Sequence, residues 1–107
     1  MKSIILFDSL EEAKSMISHR ETRRVKLEGN TYGLTRFNEI FYFYEAYCPH
    51  QEYSLIQDQI GLRPEIICGW HSYRFSLDGG EEKEKRCRNL RVQKLKANNN
   101  KELFIEL

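Results

Sequence analysis

A chain of 107 residues accommodates one hydrophobic core and excludes a multi-domain enzyme, since a second core needs most of another hundred residues. Hydrophobic residues at 40%, aromatics at 12% and charged residues at 31% describe a globular chain rather than a disordered one. Seventeen Lys and Arg against sixteen Asp and Glu leave a net charge of +1, so no overall field selects nucleic acid or an anionic membrane as partner.

In chain order, Ile4 to Phe7 is an apolar run far shorter than the about 20 residues of a membrane span. Preceded by Met1-Lys2-Ser3 and followed by Asp8, it is also too short for a signal-peptide core, so a cytoplasmic, membrane-free protein is expected. Ser9 with Glu12 three residues later forms a capping box that predicts a short helix through Ile17, with Leu10, Ala13 and Ile17 on one face. After a charged segment the pattern alternates, placing Val25 and Leu27 on one side of a strand that ends in the turn Glu28-Gly29-Asn30. Thr31 to Arg36 and Ile40 to Tyr44, rich in aromatic and β-branched residues, read as a hairpin across Phe37-Asn38-Glu39.

Beyond Ala46 the strand character stops, and Ile56, Ile60 and Ile66-Ile67 are the only strand material before Arg74 to Leu77, a short strand closed by the turn Asp78-Gly79-Gly80. Leu90, Val92 and Leu95 mark a further strand whose alternation slips between Val92 and Leu95, as at a bulge. The polar turn from Ala97 to Lys101 leads to a last strand with Leu103, Ile105 and Leu107. Many short strands and one helix near the N-terminus predict a single, mainly all-β domain over 1–107, an antiparallel sandwich or barrel.

The chemistry-bearing residues gather between these strands. Three cysteines, Cys48, Cys68 and Cys87, are an odd set with no export signal, which argues against a disulfide framework. Two of them stand in mixed pairs, Cys48-Pro49-His50 and Cys68-Gly69-Trp70-His71, with seventeen residues between His50 and Cys68. Thiolate and imidazole are the side chains best suited to borderline and soft metals, and four such donors from two loops enclose a metal centre. A structural Cys2His2 zinc site uses the same donors, and Cys68 with His71 is a conceivable nucleophile and base, although no oxyanion motif accompanies them.

The arrangement Cys-x-His, about fifteen to seventeen residues, Cys-x-x-His resembles the Rieske iron-sulfur proteins. Leu55 after the first pair, and Phe75, Leu77 and Gly79 after the second, stand at family spacings, so the likeness runs over about residues 23–107. The resemblance implies an antiparallel Rieske-type fold with a two-loop cluster-binding subdomain at about 46–78. It also implies one [2Fe-2S] cluster per chain, with Cys48 and Cys68 on one iron and His50 and His71 on the other.

Glu52 and Ser72 depart from the pattern, standing where the family usually has glycine. Tyr53 and Trp70 occupy the positions of the extra cysteines in high-potential members, so their loop-bridging disulfide cannot form. Tyr73 and Phe75 stand where those members place Ser and Tyr donors to sulfur. Fewer donors stabilise the reduced cluster less, which implies a potential toward the low end of a range of about −150 to +300 mV.

By resemblance the chain is a one-electron carrier rather than an enzyme, taking electrons from a flavoprotein reductase and passing them to an oxygenase or another reductase. The alternatives are the small accessory subunit of an assimilatory nitrite reductase and a zinc-stabilised interaction module. Outside the motifs, Cys87 between Arg86 and Arg88 reads as a core cysteine on a strand, and His19 as a surface histidine beyond the helix. The basic run from Lys83 to Lys96 reads as a solvated strand face rather than a nucleic-acid site.

Overall fold

The computed structural model describes residues 2–48, 54–56, 60–68 and 73–107. Its elements are β1 (Ser3–Phe7), α1 (Leu10–Met16), β2 (Thr22–Leu27), β3 (Asn30–Phe37), β4 (Ile40–Glu45), β5 (Glu65–Ile67), β6 (Arg74–Ser76), β7 (Val92–Lys94), β8 (Lys96–Ala97) and β9 (Leu103–Glu106). They form a four-stranded sheet in the order β2-β3-β4-β7, a three-stranded sheet β1-β9-β8 and the two-stranded sheet β5-β6. Every pairing is antiparallel, as expected for a mainly all-β chain.

Strand β4 organises the interior. Its period of two sends Phe41 and Phe43 into one core, with Phe7, Ala13, Ile17 and Leu34. Tyr42 and Tyr44 enter a second core, with Cys48, Leu55, Ile66, Cys68 and Phe75. All four aromatic rings are at most 3% exposed, so β4 is buried on both faces. The hydroxyls on the second face need partners there. Tyr44 donates to Leu55 O at 2.8 Å and Tyr42 to Asp78 Oδ1 at 3.1 Å, which ties the strand to the segments on either side of the β5-β6 hairpin.

The turns behave as their residues require. Leu27 pairs with Asn30, so the first hairpin turns on Glu28 and Gly29, both at positive φ, the signature of a two-residue primed turn. Phe37 pairs with Ile40, which shortens the expected three-residue connection to Asn38-Glu39, with Asn38 at φ 56°.

Ser9 caps the helix, its Oγ accepting from Glu12 N at 3.1 Å, while Glu12 Oε2 reaches back past the cap to accept from Asp8 N at 3.1 Å. Ala13 and Ile17 dock on the sheet, whereas Leu10 stays 40% exposed. The helix is anchored at its far end, where Arg36 Nη1 donates to Ile17 O at 3.0 Å.

Three regions differ from the sequence expectation. Ile4 to Phe7 belongs to strand β1, paired with β9 at the opposite end of the chain and bulged between Ile5 and Phe7; a continuous apolar run carries no alternation to announce this. The slip between Val92 and Leu95 is a change of sheet: β7 pairs with β4, Leu95 N donates to Phe41 O at 3.0 Å, and β8 pairs with β9. Gln93 bridges the change, its amide donating to Glu106 O at 2.9 Å and accepting from Glu106 N at 3.0 Å.

The basic run is likewise not one strand face. Residues 83–91 are irregular, and four of the run's seven basic residues form ion pairs, Arg86 with Glu82 and Glu84, Arg88 with Glu45, Lys94 with Asp78 and Lys96 with Glu106. Arginine forks find carboxylates because the chain folds back on itself, a pairing that linear charge counting does not register.

Gly33 lies directly across from Tyr44, and a β-carbon there would stand 2.2 Å from the Tyr44 ring. Gly33→Ala is therefore expected to cost about 1–3 kcal/mol through overpacking, seen as a lower midpoint of thermal or urea unfolding; an unchanged midpoint would show that the ring can move aside.

Candidate metal centre

The two Cys/His pairs begin at corresponding places. Ala46 and Tyr47 continue from β4; Leu55 N donates to Ala46 O at 2.8 Å and Tyr47 bridges to Ser54, so Cys48 stands at the end of a closed antiparallel stem. In the second case β5 and β6 pair as Glu65 with Ser76, Ile66 with Phe75 and Ile67 with Arg74. Cys68 N then donates to Tyr73 O at 2.7 Å, so Cys68 stands at the end of that stem. Both cysteines are at most 1% exposed, belong to the same core and take part in no disulfide.

His50 and His71, with Pro49, Glu52, Tyr53, Gly69, Trp70 and Ser72, lie outside the described residues. Among the described residues no group of three or more His, Cys, Asp or Glu forms a metal site, which follows directly, since two of the four expected donors are not among them.

A buried pair of thiol side chains at the ends of two β stems suits thiolate ligation: it presents soft donors from a rigid, dry base and leaves the following loop residues to supply the rest. Phe75, in β6 of the Cys68 stem, is a fully buried ring with no hydroxyl to offer. The connector between the stems is held by the start of β2 and the turn before it, through Thr22 Oγ1 donating to Ile56 O and Arg20 Nη2 donating to Ile60 O at 2.9 Å.

Cys87 is half-buried in an irregular segment, not on a strand, and packs against the core that contains Cys48 and Cys68. Burial and the nearby Cys48 push its thiol above the ordinary value and outweigh Arg86 and Arg88, so it is the less reactive form that the site favours. His19 is exposed and serves a turn, its Nδ1 accepting from Asn38 N at 2.9 Å and its ring edge-on to Phe37.

Two carboxylates that the sequence did not single out flank the stems. Glu82, at 1% exposure, accepts from Arg86 N, Arg86 Nε, Arg86 Nη2 and Glu84 N at 2.8 to 3.1 Å. Glu45 accepts a two-pronged Arg88 at 2.7 and 2.8 Å and Arg91 N at 2.6 Å. Burial raises the Glu45 carboxyl, and the bonds from Arg88 and Arg91 outweigh it, leaving it below the ordinary value. Only the four-residue spacing of Glu82 and Arg86 is visible in the sequence, and on an irregular segment that spacing has no helical meaning.

Residues 9–96 match the family model of the Rieske [2Fe-2S] domain. This chain is a Rieske protein. The cofactor of the family, and of this chain, is one [2Fe-2S] cluster.

The ferredoxin component of an alkene monooxygenase system from Xanthobacter autotrophicus is 37% identical over 41 residues, covering 38% of this chain and about a third, 34%, of that relative. Among solved structures, the ferredoxin of carbazole 1,9a-dioxygenase from Nocardioides aromaticivorans superposes with a TM-score of 0.69 at 18% identity, covering 97% of each chain. A nitrite reductase (NADPH) small-subunit structure gives 0.73 at 14% identity, covering 99% of this chain and 100% of that one. A complex of oxygenase and ferredoxin in carbazole 1,9a-dioxygenase gives 0.71 at 22%, covering 95% and 90%. These structural likenesses establish the Rieske fold. Among the described residues, no helix is long and apolar enough to cross a membrane.

The Arg86 guanidinium holds the Glu82 carboxyl down to about 2 from an ordinary 4.5. A folded value below the unfolded one adds stability that is complete above about pH 4.5 and is lost as the pH falls toward 2. The difference in unfolding midpoint between the parent Rieske protein and Glu82→Gln should thus be constant near neutrality and start to close below about pH 4.5. A difference that grew on acidification would contradict an ionised Glu82.

Proposed function

We propose that this chain is a one-electron carrier in which Cys48 and Cys68 hold one iron of the [2Fe-2S] cluster and His50 and His71 hold the other, within a cluster-binding subdomain at about 46–78. The observation that carries the ligand assignment is the placement of both cysteines, buried in a single core, at the ends of two closed β stems from which the Cys-x-His and Cys-x-x-His motifs start. When bound, the cluster takes up and gives back one electron.

The chain's own residues supply the conditions for that exchange. The two thiolates would hold one iron from a dry base, and the two imidazoles would each keep one nitrogen for a proton or a hydrogen bond. With Phe75 at a donor position the site offers less help to the added negative charge, which supports a low potential within the Rieske range.

The electron goes on to a separate enzyme. An oxygenase is the acceptor favoured by relatives whose names place them in monooxygenase and dioxygenase systems, and a flavoprotein reductase is the matching donor. A second reading, the small subunit of a nitrite reductase, is favoured by the full-length superposition on a structure of that name. Recovery of the native protein with a large sirohaem-containing subunit would select the second reading; reduction of an oxygenase by the isolated carrier would select the first.

Metal and sulfide analysis of anaerobically purified protein, with the electron paramagnetic resonance spectrum after dithionite reduction, tests the reading directly. Two irons, two sulfides and a low-average-g signal are expected, and one zinc with no signal would overturn it.

His71→Cys is expected to lower the midpoint potential if the cluster assembles, because an imidazole that raises it is replaced by thiolate; an unchanged potential would remove His71 from the ligand set. Cys87→Ser should retain full iron, while Cys48→Ser and Cys68→Ser should lose it. Iron lost on the Cys87 change and kept on the other two would reverse the assignment.

A further inference from the structure

The segment from Gly80 to Leu90 is a loop closed at its base by Leu90 N donating to Gly80 O at 2.6 Å. That closure is tight enough to require glycine: Gly80 has φ +81°, and a β-carbon there would stand 1.8 Å from Leu90 O. Between these points the chain runs from one cysteine stem to the other. Its first part is joined to the Cys68 stem, with Glu82 bridging to Phe75 and Lys83 N donating to Arg74 O at 2.8 Å. Its last part is joined to the strand that leads to Cys48, with Glu45 N donating to Arg91 O at 3.0 Å. Cys87, in the middle, packs on the core shared by Cys48 and Cys68.

An arginine serves each attachment, Arg86 through the Tyr73 ring while gripped by Glu82 of the same segment, and Arg88 through Glu45. Arg86 grips Glu82 with two nitrogens at 2.9 and 3.0 Å, and its guanidinium carbon lies 3.6 Å from the ring centroid of Tyr73, the residue whose carbonyl closes the Cys68 stem. Arg88 grips Glu45, three residues before Cys48, at 2.7 and 2.8 Å. Isolated ion pairs on a surface contribute little. These two differ, because the Glu82 side chain is 0% exposed and that of Glu45 20%, both are forked, and both carboxylates also accept backbone N–H groups.

We propose that residues 82–91 form a strap that holds the two cysteine stems at a fixed separation, with Arg86 and Arg88 as its two fasteners and as positioning residues for Cys48 and Cys68. The proposal rests on the ligand assignment made above. A strap works only if held at both ends, so releasing either fastener should have the effect of releasing both.

The test follows the cluster chromophore of the intact holoprotein in excess chelator, for the parent, Arg86→Gln, Arg88→Gln and the double variant. Each single change is expected to speed cluster loss at least fivefold and to broaden the reduced paramagnetic signal, while the double change speeds loss by less than the product of the two. Single variants within twofold of the parent, or a double variant equal to the product, would overturn the strap.

Arg86→Lys and Arg88→Lys keep the charge without the fork, so they should also speed loss; they carry the same comparison should a Gln variant fail to accumulate. A parent protein that holds no iron would instead overturn the cluster reading itself.

Discussion

The structure depends on the alternation of β4. A strand buried on both faces must satisfy two different interiors, and here the chain assigns phenylalanines to one and tyrosines to the other. The division is chemical as well as geometric. Phe41 and Phe43 need only apolar neighbours, whereas Tyr42 and Tyr44 bring hydroxyls that must be paired once buried, and the partners are a carboxylate and a carbonyl in the chain around the cysteine stems. A register slip of one residue would place both hydroxyls in the all-apolar core. The same alternation that builds the sheet therefore fixes where the half that carries the cysteine stems attaches.

Much of this was legible in the sequence, for reasons that differ by residue. Ser9 and Glu12 announced the helix because capping is local, and Asn38 and Gly29 announced turns because positive φ selects their residue types. The Rieske family was legible in the Cys-x-His and Cys-x-x-His motifs because a ligand set constrains residue type and spacing together. Strand β1 was not, since its partner lies at the other end of the chain, and the change of sheet at Leu95 left only a broken alternation that a bulge would also give. The carboxylates Glu45 and Glu82 were silent because a buried ion pair is a property of folded proximity: Glu45 and Arg88 stand 43 positions apart. Leu10 shows the opposite limit, a correct helical position that the fold leaves exposed.

A net charge of +1 conceals a strongly charged surface on which several basic side chains are held in ion pairs. For a protein whose cofactor gains a negative charge on reduction, this has physical weight. Forked pairs keep arginines in defined positions instead of leaving them to sample solvent, so the field at the centre is set by the fold and is less subject to screening by salt than that of mobile side chains.

Gln93 stands in for a strand where none can run. The two sheets cannot share a continuous ladder because the chain leaves one for the other at Leu95, and the primary amide of Gln93 supplies the missing rung by meeting both the N–H and the C=O of Glu106. That role restricts the position to a single chemistry. A glutamate has the reach but only acceptors, and would set a carboxylate against a carbonyl; an asparagine has the dipole but is one methylene short; a lysine offers only donors. The hydrogen-bonded link between β7 and β9 thus rests on the polarity of one side chain, and deamidation there, a covalent change, would break it.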